Sequence, residues 1–297
     1  MSARATVHGF ADSRDGAERL AAALGADFSL VEVHAFPDGE SRVRVAPTEP
    51  NAVIFRTLDR PNDKLIEILL AADALRDRGA RRVALAAPYF PYMRQDRAFA
   101  EGEAVSQRVF GRIVAGAFDA IVTAAPHLHR TAEFSRVVPG CAARVVGAGD
   151  VLAAILGRDP PPMDCIVVGP DVEATPLARG VGDRLGLPWA VAAKERRGDT
   201  AVGIVLPDER WTGRPVLLVD DIVSTGGTLV ACAEILRARG AGPIEAVACH
   251  ALFDANVAER LRQAGIVRVR SADTVLHPTS VPVIAPLLAA QLRELLP

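Results

Sequence analysis

Short apolar runs alternate with longer amphipathic stretches along this chain. Six runs have the length and residue types of buried strands: 52–55, 82–86, 120–123, 165–168, 216–219 and 244–249. Between them, residues 63–78 and 227–239 have helical periodicity, and each stretch ends near a glycine that can cap a helix, Gly79 or Gly240. Alternating strands and helices predict an α/β fold in which helices flank a mostly parallel sheet.

The same pattern occurs twice. Residues 53–90 and 216–253 each predict a strand, a loop, a helix and a second strand, and both helices end in Arg-x-Arg-Gly-Ala. Copies this far apart predict a duplicated domain, although any two strand–helix–strand units share some of this pattern. Glycine, aspartate and proline cluster over residues 145–162. We therefore predict an N-terminal domain over residues 1–147 and a C-terminal domain over residues 148–297.

Composition restricts the classes of function. Half of the 297 residues are apolar, which is enough for two cores, and the formal net charge of -2 argues against a general nucleic-acid binder. The amino terminus does not resemble a signal peptide, and no uncharged apolar run is long enough to cross a membrane. The four cysteines are far apart, so we expect buried, reduced thiols. These features predict a cytoplasmic protein that binds neither nucleic acid nor membrane.

The segment 216–228 combines acids, hydroxyls and glycines at the start of a predicted helix. Two aspartates follow its apolar run, and then come Ser224, Thr225, Gly226, Gly227 and Thr228. Glycines let backbone N–H groups turn toward an anion, and the helix start adds unpaired donors and partial positive charge. Asp220 and Asp221 would repel a phosphate placed beside them, but they suit the vicinal hydroxyls of a sugar, or a cation. The segment therefore predicts binding of ribose 5-phosphate.

Other interpretations of this segment fit less well. The Gly-Lys-Ser/Thr of a Walker loop is absent from the chain, and the Rossmann glycine pattern does not fit. A plain capped turn does not need two acids, two glycines and three hydroxyls. The first copy has no glycine at residues 57–63, and its Pro61 lacks a backbone donor. Only the second copy is therefore predicted to hold a phosphate there.

Two segments of the first half mix aromatic, acidic and cationic residues. Phe36, Asp38 and Glu40 surround a Pro-Asp-Gly turn signal, and Arg94 and Gln95 follow the predicted strand 82–86. An arginine can bind phosphate oxygens in a bidentate manner, and a glutamine can read the edge of a base. A simple turn and a solvated loop are the alternative interpretations.

Three more candidates follow predicted strands, which is where α/β sheets place ligand-binding residues. His127 and His129 follow residues 120–123, Asp171 follows 165–168, and Lys194 follows the apolar run 189–193. Structural histidines and a solvated loop are the alternatives, and Asp171 could cap the following helix as well as bind a ligand. Only two of the 34 basic residues are lysines. A lysine in such a chain favours a position that requires its compact charge rather than the broad guanidinium of arginine, and chance placement of two lysines is the alternative.

Taken in order, these motifs carry a resemblance. The segment 216–228 resembles the phosphoribosyl-diphosphate loop shared by type I phosphoribosyltransferases and ribose-phosphate diphosphokinases. The whole series, from Phe36 to about Thr279, is similar to the ribose-phosphate diphosphokinases, because phosphoribosyltransferases lack the duplicated first half. The resemblance implies two tandem phosphoribosyltransferase type I-like domains, each with a mostly parallel sheet flanked by helices. It also implies transfer of the diphosphoryl group of ATP to ribose 5-phosphate.

The resemblance further assigns roles to the candidate residues. It implies a homo-oligomer with an ATP site shared across subunits, in which Phe36, Asp38 and Glu40 come from one subunit and Arg94 and Gln95 from another. His129 would contact the nucleotide phosphates and Mg²⁺, and Asp171 would be a second residue associated with the metal. Lys194 and Arg196 match the lysine and arginine of the catalytic loop.

Two departures from the common family pattern keep the non-catalytic alternative open, and a third indicates a branch of the family. Ser224 stands where many members have an acid, and His127 stands where an acid usually precedes the histidine. Residues 98–103 lack the basic and acidic residues of the commonest bacterial and animal forms, so the chain resembles archaeal-type members more. The alternative functions are a phosphoribosyltransferase that consumes the diphosphate and a non-catalytic regulatory subunit.

Overall fold

A computed structural model describes residues 4–128, 131, 133–197, 201–205 and 210–296, with only the backbone described for 194–197 and 201–205. The chain forms two compact units. The first contains Met1–Gly147, Asp273–Leu276 and Pro282–Pro297, and the second contains Ala148–Ala272 and His277–Val281. In the described part of the chain, no helix is both long and apolar enough to cross a membrane.

The first unit is built on a six-stranded parallel sheet. Its elements in chain order are β1 (Ala5–Gly9), α1 (Arg14–Leu24), β2 (Asp27–Leu30), β3 (Glu32–Ala35), β4 (Ser41–Arg44), β5 (Asn51–Phe55), α2 (Pro61–Asp77), β6 (Arg82–Ala87), α3 (Ser106–Ala115), β7 (Ala120–Ala124) and β8 (Ala142–Val146). The strand order is β2-β1-β5-β6-β7-β8, and β3 pairs with β4 in a separate antiparallel hairpin. The central strands are buried on both faces, as continuous apolar runs require.

The second unit repeats this architecture. Its elements are α4 (Ala148–Leu156), β9 (Ile166–Gly169), α5 (Thr175–Leu185), β10 (Trp189–Val191), β11 (Ala193–Arg197), β12 (Ala201–Val205), β13 (Val216–Val223), α6 (Gly227–Ala238), β14 (Ile244–Ala251), α7 (Ala255–Gln263), β15 (Ile266–Ala272) and β16 (Ser280–Val281). The parallel sheet has the order β10-β9-β13-β14-β15-β16, and β11 pairs with β12 in an antiparallel hairpin.

The two units therefore share one topology. In each, the second strand along the chain lies at the sheet edge, a hairpin follows it, and the next strand pairs with the first. The predicted α/β fold with two duplicated domains is confirmed, and β5, α2 and β6 correspond to β13, α6 and β14. All four cysteines are buried and none forms a disulfide, as expected.

The carboxyl-terminal segment belongs to the first unit. Helix α8 (Ile284–Arg293) packs against α1 and lies beside β7 and β8. The Asp273 carboxylate accepts hydrogen bonds from the N–H groups of Val283 (2.8 Å) and Ile284 (2.9 Å) at the start of this helix. The first unit is interrupted after residue 147 and resumes for this segment, whereas the predicted domains are the continuous ranges 1–147 and 148–297, which stay predictions. Linear sequence cannot assign a terminal helix to a core, because the assignment depends on which apolar face it covers.

Two strand boundaries differ from the sequence prediction. Strand β13 continues through Asp220 to Val223, because β14 offers hydrogen-bonding partners along its whole length and pairs Ile222 with His250. The predicted strand 216–219 is therefore too short. The apolar run 189–193 is not one strand: β10 ends at Val191, and β11 begins at Ala193 in the hairpin.

Candidate active site

The carboxyl ends of β9 and β13 bring three acidic residues to one edge of the second sheet. The two strands pair in parallel through Leu218 and Val168. Asp171 comes two residues after β9 ends, whereas Asp220 and Asp221 lie within the last four residues of β13. Parallel strands end at the same edge of a sheet, which is the usual ligand-binding edge of open α/β folds.

The Asp220 side chain is electrostatically unusual. Burial, followed by the neighbouring charge of Asp221, raises the pKa of Asp220 to about 8, and the charge of Asp171 acts in the same direction. The N–H of Asp221 donates a 2.9 Å hydrogen bond to Oδ1 of Asp220, which partly opposes this shift. The carboxyl group therefore holds a proton near neutral pH. A cation bound at this edge would favour its ionised form.

Asp171 caps the turn that follows β9. Its Oδ1 accepts hydrogen bonds from the N–H groups of Glu173 (3.1 Å) and Ala174 (3.3 Å). The sequence allowed Asp171 both to cap a helix and to associate with a metal. The structure contains the cap. Oδ2 makes no hydrogen bond to the described residues. Within those residues, no group of three or more His, Cys, Asp or Glu side chains is arranged to hold a metal ion.

The loop between β13 and α6 has the backbone geometry of an anion site. Gly226 has φ 68°, and a Cβ there would lie 2.9 Å from Cγ1 of Val257. The first acceptor of α6 is the Gly226 carbonyl, which receives the Val230 N–H at 2.9 Å. The amides of Gly227 and Thr228 precede that bond and have no acceptor inside the helix, so they can bind an anion.

The hydroxyl-bearing residues of this loop differ in exposure. Thr225 is exposed, and Ser224 and Thr228 are half-buried. The glycines are placed by packing: Val257 and Leu261 of α7 fill the space around Gly226. The packing of α7 against Gly226 was not predicted from the sequence. Asp254 is nevertheless a recognisable cap for α7, and it accepts a hydrogen bond from the Val257 N–H at 3.0 Å.

Phe36, Asp38 and Glu40 lie together at the tip of the β3–β4 hairpin. All three are exposed, and the Phe36 side chain is 38% accessible. The tip is a tight turn in which the Phe36 N–H donates to the Glu40 carbonyl at 2.8 Å, and Oδ1 of Asp38 accepts from the Glu40 N–H at 3.1 Å. An exposed aromatic ring beside two carboxylates can stack on a planar ligand and accept hydrogen bonds.

Arg94 and Gln95 lie in the loop between β6 and α3. Arg94 is exposed, and the half-buried Gln95 accepts a 2.6 Å hydrogen bond from the Ser106 hydroxyl at Oε1. This hydrogen bond uses the amide oxygen of Gln95 and not its amide nitrogen. The structure thus places these residues on a different element from the β3–β4 hairpin.

Backbone strain concentrates in the loops after the strands of the first sheet. Among the described residues, three non-glycine residues have positive φ: Arg60 after β5, Tyr92 after β6 and Ala125 after β7. Such conformations persist only where the surrounding structure enforces them, and they cluster at ligand sites. Tyr92 comes two residues before Arg94, and Ala125 comes two residues before His127.

The structure describes only parts of two predicted functional segments, the one with His127 and His129 and the one with Lys194 and Arg196. His127 is half-buried, and His129 lies outside the described residues. Lys194 and Arg196 lie on β11, where they pair with Ile204 and Val202 of β12. They therefore belong to the hairpin of the second unit that corresponds to β3–β4 in the first, rather than to an irregular loop.

The fold and the edge of the second sheet define a phosphoribosyltransferase-type protein. Residues 149–283 match the family model for the phosphoribosyl transferase domain. Residues 6–117 match the model for the N-terminal domain of ribose phosphate pyrophosphokinase. The chain belongs to the ribose-phosphate pyrophosphokinase family, also called ribose-phosphate diphosphokinases.

Relatives match over most of their length. The ribose-phosphate pyrophosphokinase of Methanopyrus kandleri is 37% identical over 93% of this chain and 94% of its own. The one from Thermococcus kodakarensis is 36% identical over 86% of this chain and 89% of its own. The crystal structure of phosphoribosylpyrophosphate synthetase from Mycobacterium smegmatis has a TM-score of 0.82 and 26% identity, with 98% of both chains covered. The predicted family, including its similarity to archaeal members, is confirmed.

Proposed function

We propose that this chain transfers the diphosphoryl group of ATP to the C1 hydroxyl of ribose 5-phosphate, giving 5-phosphoribosyl 1-diphosphate and AMP. The observation that carries the proposal is the β13–α6 segment, in which two carboxylates and a glycine-rich helix start succeed each other at one sheet edge. The family relationship supplies ATP as the second substrate.

The ribose phosphate would span the two ends of this segment. The N–H groups of Gly227 and Thr228, with the hydroxyls of Ser224, Thr225 and Thr228, would hold the 5-phosphate. Asp221, and Asp220 in the ionised form that a bound cation favours, would accept hydrogen bonds from the ribose hydroxyls, since their charge would repel the phosphate itself. This orientation leaves C1 at the side of the sugar away from the 5-phosphate.

The nucleotide would be bound by exposed residues of the first unit. Phe36 would stack on the base, with Asp38 and Glu40 beside it, while Arg94 and Gln95 of a second subunit would complete the site. This sharing requires a homo-oligomer, and closed symmetry is the usual arrangement for one.

Mg²⁺ fits the oxygen-rich edge at Asp171. Its Oδ2 is unused by the described residues, and Mg²⁺ is commonly held by one or two carboxylates together with substrate phosphates and water. Asp171 and His129 are the residues proposed to hold it. When bound, Mg²⁺ would neutralise charge on the β- and γ-phosphate oxygens.

The transfer itself is an in-line displacement. The C1 oxygen forms a bond to the β-phosphorus, the bond from that phosphorus to the oxygen bridging to the α-phosphate breaks, AMP leaves, and the hydroxyl proton passes to solvent. Such transfers depend on positioning and charge neutralisation more than on covalent catalysis. Lys194 and Arg196 on β11 would neutralise the charge that develops on the transferred group.

Release of AMP tests the proposal directly. Incubation with ATP, Mg²⁺ and ribose 5-phosphate should release AMP, and omission of ribose 5-phosphate is the control. If AMP is not released but 5-phosphoribosyl 1-diphosphate is consumed when a nucleobase is added, the chain is a phosphoribosyltransferase. A folded chain that binds ribose 5-phosphate but turns over neither mixture would be the non-catalytic subunit.

A further inference from the structure

A cluster of charged side chains with a buried Arg56–Glu67 pair occupies the place in the first unit that corresponds to the β13–α6 loop. It consists of Asp12, Arg56, Asp59, Lys64 and Glu67, on or beside the segment that joins β5 to α2. Arg56 and Glu67 are 7% and 8% exposed. The first unit thus places ion-paired side chains where the second unit has its glycine-rich loop.

The cluster is satisfied internally. Nε and Nη2 of Arg56 donate to Oδ2 of Asp12 at 3.2 and 3.1 Å, and the guanidinium lies 4.1 Å above the centre of the Phe10 ring. Nζ of Lys64 donates to Asp59 at 2.6 Å and lies 3.3 Å from Asp12. Burial is the largest single influence on the Asp12 carboxyl and opposes its ionisation, but the charge and hydrogen bond of Arg56, the charge of Lys64 and the Ser13 hydrogen bond together lower its pKa.

Glu67 connects this cluster to the β3–β4 hairpin. Its Oε2 accepts a 2.5 Å hydrogen bond from Nη1 of Arg56, and its Oε1 accepts a 3.1 Å hydrogen bond from the Ser41 hydroxyl. Ser41 is the first residue of β4 and pairs with Ala35, the last residue of β3. The bond therefore lies at the base of the tip that presents Phe36, Asp38 and Glu40.

Strand β4 of the hairpin lies against helix α2. Every residue of β3 is exposed, and β4 alternates between half-buried Ser41 and Val43 and exposed Arg42 and Arg44. Val43 packs against the core, but an apolar contact does not specify direction as a hydrogen bond does. The Ser41 hydroxyl gives the hairpin a directional contact with α2, and it reaches a carboxylate that Arg56 holds in place.

We infer that Glu67, acting through Ser41, is a positioning residue that orients the β3–β4 hairpin for nucleotide binding. The inference rests on the proposed function and on the nucleotide role of Phe36, Asp38 and Glu40. The inferred role affects ATP binding and not the binding of ribose 5-phosphate. Glu67 and Ser41 belong to the first unit, whereas the proposed ribose-phosphate loop belongs to the second.

Substitutions at Ser41 test the inference most cleanly. Ser41→Ala removes the hydroxyl but leaves the Arg56–Glu67 ion pair, so the fold should be retained. We expect the KM for ATP to rise roughly three- to tenfold, the range of one lost hydrogen bond, with the KM for ribose 5-phosphate and the Tm unchanged. Ser41→Thr keeps the hydroxyl and should restore the KM for ATP. Glu67→Gln should raise it at least as much as Ser41→Ala.

Ser135→Ala is the matched control. The exposed Ser135 donates a 3.2 Å hydrogen bond to Glu133 in the same unit, away from the hairpin, so this variant should behave as wild type. An unchanged KM for ATP in Ser41→Ala would overturn the inference. Equal rises in both KM values together with a lower Tm would also overturn it, because they indicate a general structural defect.

Phe36→Ala separates this inference from the proposed function. A raised KM for ATP in Phe36→Ala, with no change in Ser41→Ala, rejects the positioning role and retains the nucleotide site. If neither variant changes the KM for ATP, the assignment of the hairpin to the nucleotide fails. Absence of AMP release by the wild-type chain overturns both proposals.

Discussion

Gly226 and Arg60 occupy the same point in the two units: each has left-handed backbone dihedrals and immediately precedes the helix that follows the third strand of its sheet. After Gly226 the helix begins with Gly227, whose N–H has no helical acceptor. After Arg60 it begins with Pro61, which has no N–H. Both units keep the turn, but only the second keeps the backbone donors that an anion needs.

Gly226→Ala should weaken the binding of ribose 5-phosphate. An L-residue at φ 68° costs about 1–2 kcal/mol, and the new Cβ would lie 2.9 Å from Cγ1 of Val257, so the loop must shift. We expect the KM for ribose 5-phosphate to rise about tenfold or more, because small displacements of a positioning group have large effects. Steady-state kinetics measures this.

Gly25→Ala is the control for backbone strain. Gly25 also has φ 68°, but it caps α1 in the first unit, and its Cβ would meet nothing within 4 Å. Gly25→Ala should lower the free energy of unfolding by a similar strain cost and leave the KM for ribose 5-phosphate unchanged. Equal kinetic effects of the two variants would refute a specific role for the Gly226 turn.

Asp220 should make the second unit less stable as the pH rises. Its pKa is near 4 in the unfolded chain and about 8 in the folded chain, so the folded state binds more protons between these values. The free energy of unfolding therefore falls as the pH rises from about 4 to 8 and then levels off. This change in unfolding free energy is on the order of 1–2 kcal/mol after allowing for the partial exposure of Asp220. Asp220→Asn should remove it.

Tryptophan fluorescence isolates this effect. Both tryptophans, Trp189 and Trp211, lie in the second unit. Urea unfolding of wild type and Asp220→Asn, followed by this signal at pH 5 and pH 8, should show a difference in unfolding free energy that changes with pH. A constant difference would contradict the raised pKa.

His8 should make the first unit less stable as the pH falls. It is fully buried on β1, with Nε2 3.0 Å from Oγ1 of Thr48, and burial lowers its pKa to about 4. The unfolded chain takes up a proton below pH 6.5 and the folded chain does not. Stability is therefore lost as the pH falls from about 6.5 to 4, by about 1–3 kcal/mol. His8→Gln should remove this slope.

Tyrosine fluorescence reports on this unit, because Tyr89 and Tyr92 both belong to it. Parallel slopes for wild type and His8→Gln between pH 6.5 and 4 would show that His8 is protonated in the folded protein.

Lys194→Ala should lower kcat by about 10²–10³ without lowering the Tm, since loss of one preorganised donor to developing charge has this effect. Arg197→Ala on the same strand is the control, because it removes a cation to which the family resemblance gives no role. Near-normal turnover by a folded Lys194→Ala protein would remove Lys194 from the mechanism.

Sequence periodicity determined most of the fold. Residues 52–55, 82–86 and 120–123 are strands in the structure because a parallel sheet buries both faces and so requires continuous apolar runs. The sequence also predicts a ribose-phosphate site over residues 216–228, since glycines, hydroxyls and paired acids keep their properties wherever they lie, and that assignment stays a prediction.

Tertiary structure decided which distant groups meet. β13 extends through Asp220 and Asp221 because β14 lies beside it, and α8 belongs to the first unit because its apolar face covers that core. Ser41 and Glu67 are 26 residues apart, so their hydrogen bond has no local signature. Sequence alone specified the local conformations and the chemistry of the loop, since both depend on neighbouring residues. The raised pKa of Asp220 and the support of the hairpin depend on burial and on distances across the fold, which only the folded chain sets.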